Sequence, residues 1–375
     1  MYKYEKITMW IREQISSGAF SPGSKLPTEM ELMEKFNVSR QSVRRAIQVL
    51  VDEGLVHSVQ GSGIYAADRD NLHNSSNDRL ARHNRRPPSR QIALVLTNYE
   101  DYIFPNKISG IYETLENAGY IINLFFTDNH SEKELHIFRS LLDGNYAGML
   151  LDGTQSALPR LDEALFRQVI QKIPCIMMDS RYSGFRLPCV TLDDELGGYL
   201  ATRHLIENGH RKIAYVGRSE YRQGIKRGLG YVKALMEAGI DIEGNRMIWY
   251  TLNTYPFLFK PPGNQTIVDI LSTCTAITCY NDQVASDLID VLEHHGLRIP
   301  ADISIIGYDH ATFPGKQRRL TTIEHPKALL GKKAAENLLR LIRDPLFDAN
   351  YTFRPELVPG QTVRNLNAQD LVSSF

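Results

Sequence analysis

Between Lys3 and Ser17 the apolar residues Ile7, Trp10, Ile11 and Ile15 recur at helical spacing, and Gly18 ends the run, so a first helix is predicted there. Ser21-Pro22-Gly23-Ser24 reads as a turn. Thr28, followed three residues later by Glu31, predicts a capped helix start with Leu32, Met33 and Phe36 on its buried side. After the connector Asn37-Val38-Ser39, with Ser39 placed as N-cap, the residues Val43, Ala46, Ile47, Leu50 and Val51 form one apolar face. Arg40, Gln41, Arg44, Arg45 and Gln48 point the other way. Two helices joined by so short a connector define a helix-turn-helix candidate. Beyond Gly54, the β-like runs Leu55 to Val59 and Ile64 to Ala67 flank Gln60-Gly61-Ser62-Gly63, a glycine-bearing hairpin turn that makes a wing.

Residues 68–90 are polar, rich in Asn, Ser and Arg, and carry Pro87-Pro88, the composition of a linker. From Gln91 onward short apolar strands alternate with helical patterns, the signature of βαβ units around a parallel sheet. The first set of strands is expected at Ile92 to Leu96, Ile121 to Phe126, Gly148 to Leu151 and Pro174 to Met178. The second is expected at Lys212 to Val216, Met247 to Tyr250, Ala276 to Cys279 and Ile303 to Ile306. Two successive sets in one uninterrupted region predict two similar lobes. Sheets of this kind bind ligands at the carboxyl ends of their strands, so the natural site is a cleft between the lobes. The expected division is a reading domain over 1–67, a linker over 68–90, a two-lobed sensing and dimerisation domain over 91–364, and a tail over 365–375.

Composition narrows this picture without redirecting it. The chain of 375 residues is 42% hydrophobic and 23% charged with a formal net charge of +0, so any nucleic-acid signal has to be local. Its four cysteines, Cys175, Cys189, Cys274 and Cys279, form neither a CxxC pair nor a His/Cys cluster, and no metal or cofactor is expected. The N-terminus lacks an apolar core of signal-peptide length and no later run approaches a membrane span, which predicts a cytoplasmic protein with no membrane partner.

The polar face of the third helix has a definite chemistry. Arg bridges guanine O6 and N7, and Gln pairs with adenine, when a helix presents them from its first turns. Ser39, Arg40, Gln41, Ser42, Arg44 and Arg45 lie at that end. Through KLPTE, TEMELMEKF, NVSRQSVRRAI, LVDEGLV and VQGSGIY, residues 25–66 resemble the DNA-binding domain of the GntR (gluconate repressor) family. The resemblance implies that Glu29, Arg40, Gln41, Arg44, Gln60 and Gly61 touch DNA. Met30 departs from it, standing where many members carry an arginine.

Residues 91–364 resemble the LacI-type sugar-sensing domain, built like periplasmic sugar-binding proteins. The resemblance rests on TLDDELGGYLA (191–201), HLIENGHRKIAYVG (204–217), CYNDQVA (279–285), IPADISIIGYD (299–309) and LTTIEHPKALLGKKAAENLL (320–339). The expected fold is therefore an α+β winged helix-turn-helix domain followed by an α/β two-lobed, periplasmic-binding-protein-like effector domain. This pairing of reader and sensor is similar to the bacterial arabinose repressors, a comparison that DYIFP, RQGIKR and SVQG strengthen.

Asp282 and Asp309 follow expected strand ends and Arg227 stands near a helix start, so carboxylates and a guanidinium can converge on sugar hydroxyls. Tyr102 and Phe104, after the first strand, can cover the apolar face of a pyranose ring. Asp128, Asp152, Arg181, Asn281 and His310 complete the candidate set. Each also has an ordinary reading: Asp282 as a helix cap, Asp309 as a turn residue, the two aromatics as core. The resemblance implies a repressor that binds double-stranded operator DNA as a homodimer and is released by a neutral monosaccharide, L-arabinose first. Asp152-Gly153-Thr154-Gln155, Arg181 and His310 differ from the arabinose pattern, which leaves another sugar or a nucleoside open. An enzyme is not expected: GxSxG, GxxxxGK[ST] and a GxGxxG opening a helix after the first strand are all missing from the sequence.

Overall fold

The computed structural model describes residues 3–21, 23–52, 55–59, 63–66, 89–98, 102–261, 263–311, 313 and 319–367. The chain forms two compact units, Met1–Pro88 and Ser89–Phe375.

In the first unit, α1 (Lys3–Ser16), α2 (Glu29–Phe36) and α3 (Arg40–Asp52) enclose Ile7, Ile11, Leu32, Val43, Ala46 and Leu50, all fully buried. Burying each large aliphatic side chain stabilises this small core by about 1.5–3 kcal/mol. Trp10 closes one end, edge-on to Phe20 at 5.8 Å and to Phe36 at 5.5 Å. The start of α2 is a complete capping box: the Thr28 N–H donates to Glu31 Oε2 at 2.7 Å, and the Glu31 N–H donates to Thr28 Oγ1 at 3.3 Å. Asn37, at φ 48°, ends α2 in the left-handed region that asparagine tolerates, and so turns the chain into α3. Strands β1 (Val56–Val59) and β2 (Gly63–Ala66) pair antiparallel from Val56↔Ala66 to Val59↔Gly63. Gly63 sits at φ 131°, and a Cβ there would meet the Lys25 side chain at 2.7 Å.

The second unit has two parallel sheets. The first follows the order β13-β7-β6-β5-β3-β4, from β3 (Gln91–Leu96), β4 (Ile121–Phe126), β5 (Gly148–Asp152), β6 (Cys175–Met178), β7 (Cys189–Leu192) and β13 (Tyr351–Phe353). The second follows β11-β10-β8-β9, from β8 (Ile213–Arg218), β9 (Met247–Tyr250), β10 (Ala276–Cys279) and β11 (Ser304–Ile306). Helices α4 (Phe104–Asn117), α5 (Ser131–Asp143) and α6 (Glu163–Lys172) cover the first sheet. Helices α7 (Asp194–Glu207), α8 (Arg222–Glu237), α9 (Tyr255–Phe259), α10 (Gly263–Leu271) and α11 (Asp282–His294) cover the second. Glycines let α7 and α8 approach closely: a Cβ on Gly198 would meet the Arg227 carbonyl oxygen at 2.1 Å, and one on Gly230 that of Glu195 at 2.0 Å.

The two lobes are not two uninterrupted sets, as the strand pattern suggests. The chain leaves the first lobe after β7 and returns through β12 (Thr322–Ile323). Helix α12 (Lys327–Arg343) then packs on α4, and β13 pairs with β7 in the first sheet. The chain finally crosses again to β14 (Leu357–Val358), which pairs with β12. Strands of two or three residues at these crossings carry too few side chains to show a period of two, and the pattern misses them.

Candidate effector cleft and reading head

Loops at the carboxyl ends of both sheets face a cavity of about 420 Å³. Its walls carry Thr97, Asn98, Asp128, Asp152 and Asp179 from the first lobe and Asp194, Arg218, Arg227, Asn281 and Asp309 from the second, with Phe104, Leu192, Leu252 and Tyr280 as apolar surface. Asp128, Asn129, Asp179 and Asp309 hold positive φ, at 47°, 57°, 61° and 101°. Such backbone is sparsely populated by non-glycine residues and clusters at ligand sites. Here it turns short polar side chains inward just past β4, β6 and β11.

Arg227, Asp194, Asp309 and Asp179 are buried in the cleft and already partnered. The Arg227 side chain is 6% exposed; its Nε donates to Asp194 Oδ1 at 2.9 Å, its Nη1 donates to the Tyr280 carbonyl at 2.5 Å, and its guanidinium lies 3.5 Å from the Tyr308 ring centre. Asp309 stands 3.8 Å from the same guanidinium and accepts the Tyr102 hydroxyl at 2.5 Å. On the opposite wall the buried Lys107 ammonium and His325 Nε2, the latter at 3.2 Å, hold Asp179. Burial opposes the Asp179 charge, but Lys107 and then His325 outweigh it and hold this carboxyl below the usual range. Burial pushes neighbouring Asp152 up to about 7 against the pull of Lys107, while Asp179 adds to the rise and the Thr97 hydroxyl donates to it at 2.7 Å. Burial also raises Asp194, with Arg227 opposing.

Several bonds run from lobe to lobe beside the cavity. Tyr221 donates its hydroxyl to Asn129 Oδ1 at 2.8 Å, Asn129 Nδ2 donates to Glu220 at 3.1 Å, and the Arg222 N–H donates to Ser156 Oγ at 3.1 Å. Glu220 also takes the Arg218 Nε at 2.8 Å. The described lobes are thus held together at the mouth as well as at the crossings.

Of the effector residues expected from sequence, Phe104, Asp128, Asp152, Arg227, Asn281 and Asp309 line the cavity. Four do not. Tyr102 reaches across to Asp309 rather than covering the cavity. Asp282 is fully buried beneath the wall, where it accepts the Ala311 N–H at 2.6 Å and the Thr322 hydroxyl at 2.7 Å; a Cβ on Gly307 would meet it at 2.0 Å. The Thr322 bond ties the crossing strand β12 to α11, and burial, with Asp309 second, pushes the carboxyl up to about 7. Arg181 lies outside the cleft, its Nη2 donating to Asn350 Oδ1 at 2.8 Å. His310 is exposed and pairs with Glu324. A position just past a strand does not say which way a side chain turns, and so the sequence does not separate these four from the cavity-lining residues.

The reading head is arranged differently. Arg40 and Arg44 project from the first turns of α3 with side chains 66% and 63% exposed, and both donate Nε to Glu29, at 2.8 Å and 3.1 Å. The Arg40 hydrogen bond, joined by Arg44, holds the Glu29 carboxyl below its ordinary value. Among the described residues the terminal nitrogens of both guanidiniums are left for an outside acceptor. Arg45 lies over the Tyr4 ring at 4.7 Å, Gln41 is exposed, and the Ser39 and Ser42 hydroxyls stand 3.1 Å apart. Gln60 and Gly61 lie outside the described residues.

The profile of the family described as "Bacterial regulatory proteins, gntR family" matches residues 3–66, and that of the "Periplasmic binding protein-like domain" matches 202–363. An arabinose metabolism transcriptional repressor of Halalkalibacterium halodurans is 31% identical over 371 residues, covering 98% of this chain and 97% of its own. Another from Geobacillus stearothermophilus is 32% identical over 377 residues, with 97% and 98% covered. The chain belongs to this family of repressors. Among solved structures, the transcriptional regulator CelR in complex with cellobiose matches at TM-score 0.64 and 21% identity, over 87% of this chain and 91% of its own, a likeness of fold.

In this member of the repressor family, the sequence reading passed over Thr97, Asn98, Asp179, Asp194, Arg218, Tyr280 and His325, all on the cavity wall. Asp194 was within reach, as the second acidic residue of TLDDELGGYLA directly at a helix start. Asp179 and His325 carry no local signal: they meet because α12 returns to the first lobe, a contact across 146 residues.

Proposed function

We propose that this chain represses carbohydrate-utilisation genes by binding operator DNA through residues 1–67 and releasing it when a neutral monosaccharide, L-arabinose first, enters the cleft of residues 91–364. On this reading residues 68–90 link the two, residues 365–375 are a tail, and the protein acts in the cytoplasm as a homodimer on a pseudo-palindromic operator. Glu29, Ser39, Arg40, Gln41, Ser42, Arg44, Arg45, Gln60 and Gly61 form the DNA surface.

The observation that carries the ligand class is the wall chemistry: five carboxylates, Asp128, Asp152, Asp179, Asp194 and Asp309, face one cavity with two guanidiniums, Arg218 and Arg227. Carboxylates accept hydrogen bonds from hydroxyls, and charge-assisted bonds are roughly twice as strong as neutral ones. Five carboxylates against two guanidiniums favour an uncharged ligand over a phosphorylated or carboxylated one. Phe104, Leu192 and Leu252 offer apolar surface to the C–H face of a sugar ring. Release follows only if the sugar prefers one arrangement of the lobes, because a ligand shifts an equilibrium by its differential affinity.

The test is fluorescence anisotropy of the full chain on an operator selected from a random duplex pool, with L-arabinose, other pentoses, hexoses, disaccharides and a nucleoside added in turn. One sugar should weaken operator binding at least tenfold. Absence of sequence-dependent binding, or binding unmoved by every sugar, defeats the reading.

A further inference from the structure

A second recess of about 400 Å³ lies beside the cleft, sharing with it Leu192. Its chemistry is opposite. Ser180, Arg181 and Thr191 from the first lobe and Arg222 and Lys226 from the second line it, with Asp193 at the crossing between them. Among the described residues none of the three cations forms an ion pair: Arg181 donates to the Asn350 amide oxygen and Arg222 to the Ser183 hydroxyl. Asp193 is engaged at the start of α7, where it accepts the Leu196 N–H at 3.1 Å. Arg222 and Lys226 are one turn apart, on the same face of the first turns of α8, where the helix dipole adds to their field. A second, independent feature points the same way: Ser180 is 6% exposed, lines this recess, and its buried hydroxyl has no hydrogen-bond partner among the described residues. A buried hydroxyl left unpaired is costly and rare, and a turn of the Ser180 side chain toward the recess would bring it to a ligand oxygen.

We propose that this recess is a second binding site, distinct from the sugar cleft, for a phosphate dianion, either free or as the monoester of a small metabolite. Two guanidiniums and an ammonium match its oxygens, with the Ser180 hydroxyl as a neutral donor. A volume near 400 Å³ accommodates a monoester as well as free phosphate. Because its donors come from both lobes, the bound anion ties the lobes together and is thermodynamically linked to whatever else moves them.

Isothermal titration of the full chain at low salt, with sodium phosphate, ribose 5-phosphate and unphosphorylated ribose as probes, tests this. At least one phosphate probe should bind, and Lys226→Gln and Arg181→Gln, both outside the sugar cleft, should each weaken it about tenfold without moving the unfolding midpoint. Tighter binding of ribose 5-phosphate than of phosphate assigns the site to a monoester; equal binding assigns it to the free ion. No heat from either phosphate probe at millimolar concentration, or affinity unchanged in both variants, overturns the proposal. The variants carry the test by themselves, so a failure of sugar sensing leaves it intact.

Discussion

The cleft and the reading head both gather arginines and carboxylates, yet they use them in opposite ways. In the cleft the Arg227 and Asp194 side chains are 6% and 3% exposed, and the pair is fixed by further hydrogen bonds and ring contacts. In the head Arg40 and Arg44 are 66% and 63% exposed and share one carboxylate, Glu29. Buried charges must be matched within the fold, because an unpartnered one costs several kcal/mol. Exposed pairs contribute about 0–1 kcal/mol and leave their donors available. The difference separates a pre-arranged pocket, whose polar groups are costly to disturb, from a surface whose charge is held for an outside partner.

The largest effect is therefore expected from breaking a cleft pair. Asp194→Ala leaves the buried Arg227 with only the longer 3.8 Å contact to Asp309 as an ion pair and should destabilise the second unit by about 3–5 kcal/mol, read from its thermal unfolding transition. A loss below about 1 kcal/mol would mean that water reaches this pair and that the contrast with the head is false. Next, Arg40→Ala should weaken operator binding by about 1–3 kcal/mol and leave unfolding within about 0.5 kcal/mol of the parent. Operator affinity should also fall steeply between 50 and 200 mM salt through counterion release, while sugar affinity hardly moves; equal salt dependence would erase the distinction.

A smaller and pH-dependent effect is expected at Asp152. Its folded-state value of about 7 lies above the ordinary 3.8, so the unfolded chain gives up this proton first. The contribution to stability is then lost as pH rises from about 4 to about 7, and is regained below. Asp152→Asn removes that slope, so the variant should gain on the parent toward neutral pH. A variant whose midpoint tracks the parent across this range places the ionised carboxylate in water instead.

Much of the fold was legible because it is written locally. Helical spacing of Ile7, Trp10, Ile11 and Ile15 and the Thr28–Glu31 pair marked α1 and α2 in place, and the strands Ile121–Phe126, Met247–Tyr250 and Ala276–Cys279 stand as read. The crossings were hidden because β12, β13 and β14 are too short to show a pattern and pair with strands distant in sequence. The cleft was half legible for a related reason. Asp309, just past a strand, and Arg227, in the second turn of α8, face inward, but Asp282 and His310, placed in sequence like Asp309, turn away, because Gly307 and Thr322 draw Asp282 under the wall and Glu324 draws His310 outward.

The central claim is that one region reads DNA, the other senses sugar, and the sugar connects them. Operator anisotropy of the full chain under a sugar titration, parent against Arg227→Lys, tests it most directly. Lysine keeps the charge but cannot reproduce the forked contacts to Asp194 and the Tyr280 carbonyl. Operator affinity without sugar should stay within about threefold of the parent, while release should require at least about tenfold more sugar. Release at the parent's sugar concentration, or operator affinity lost before any sugar is added, would contradict the account.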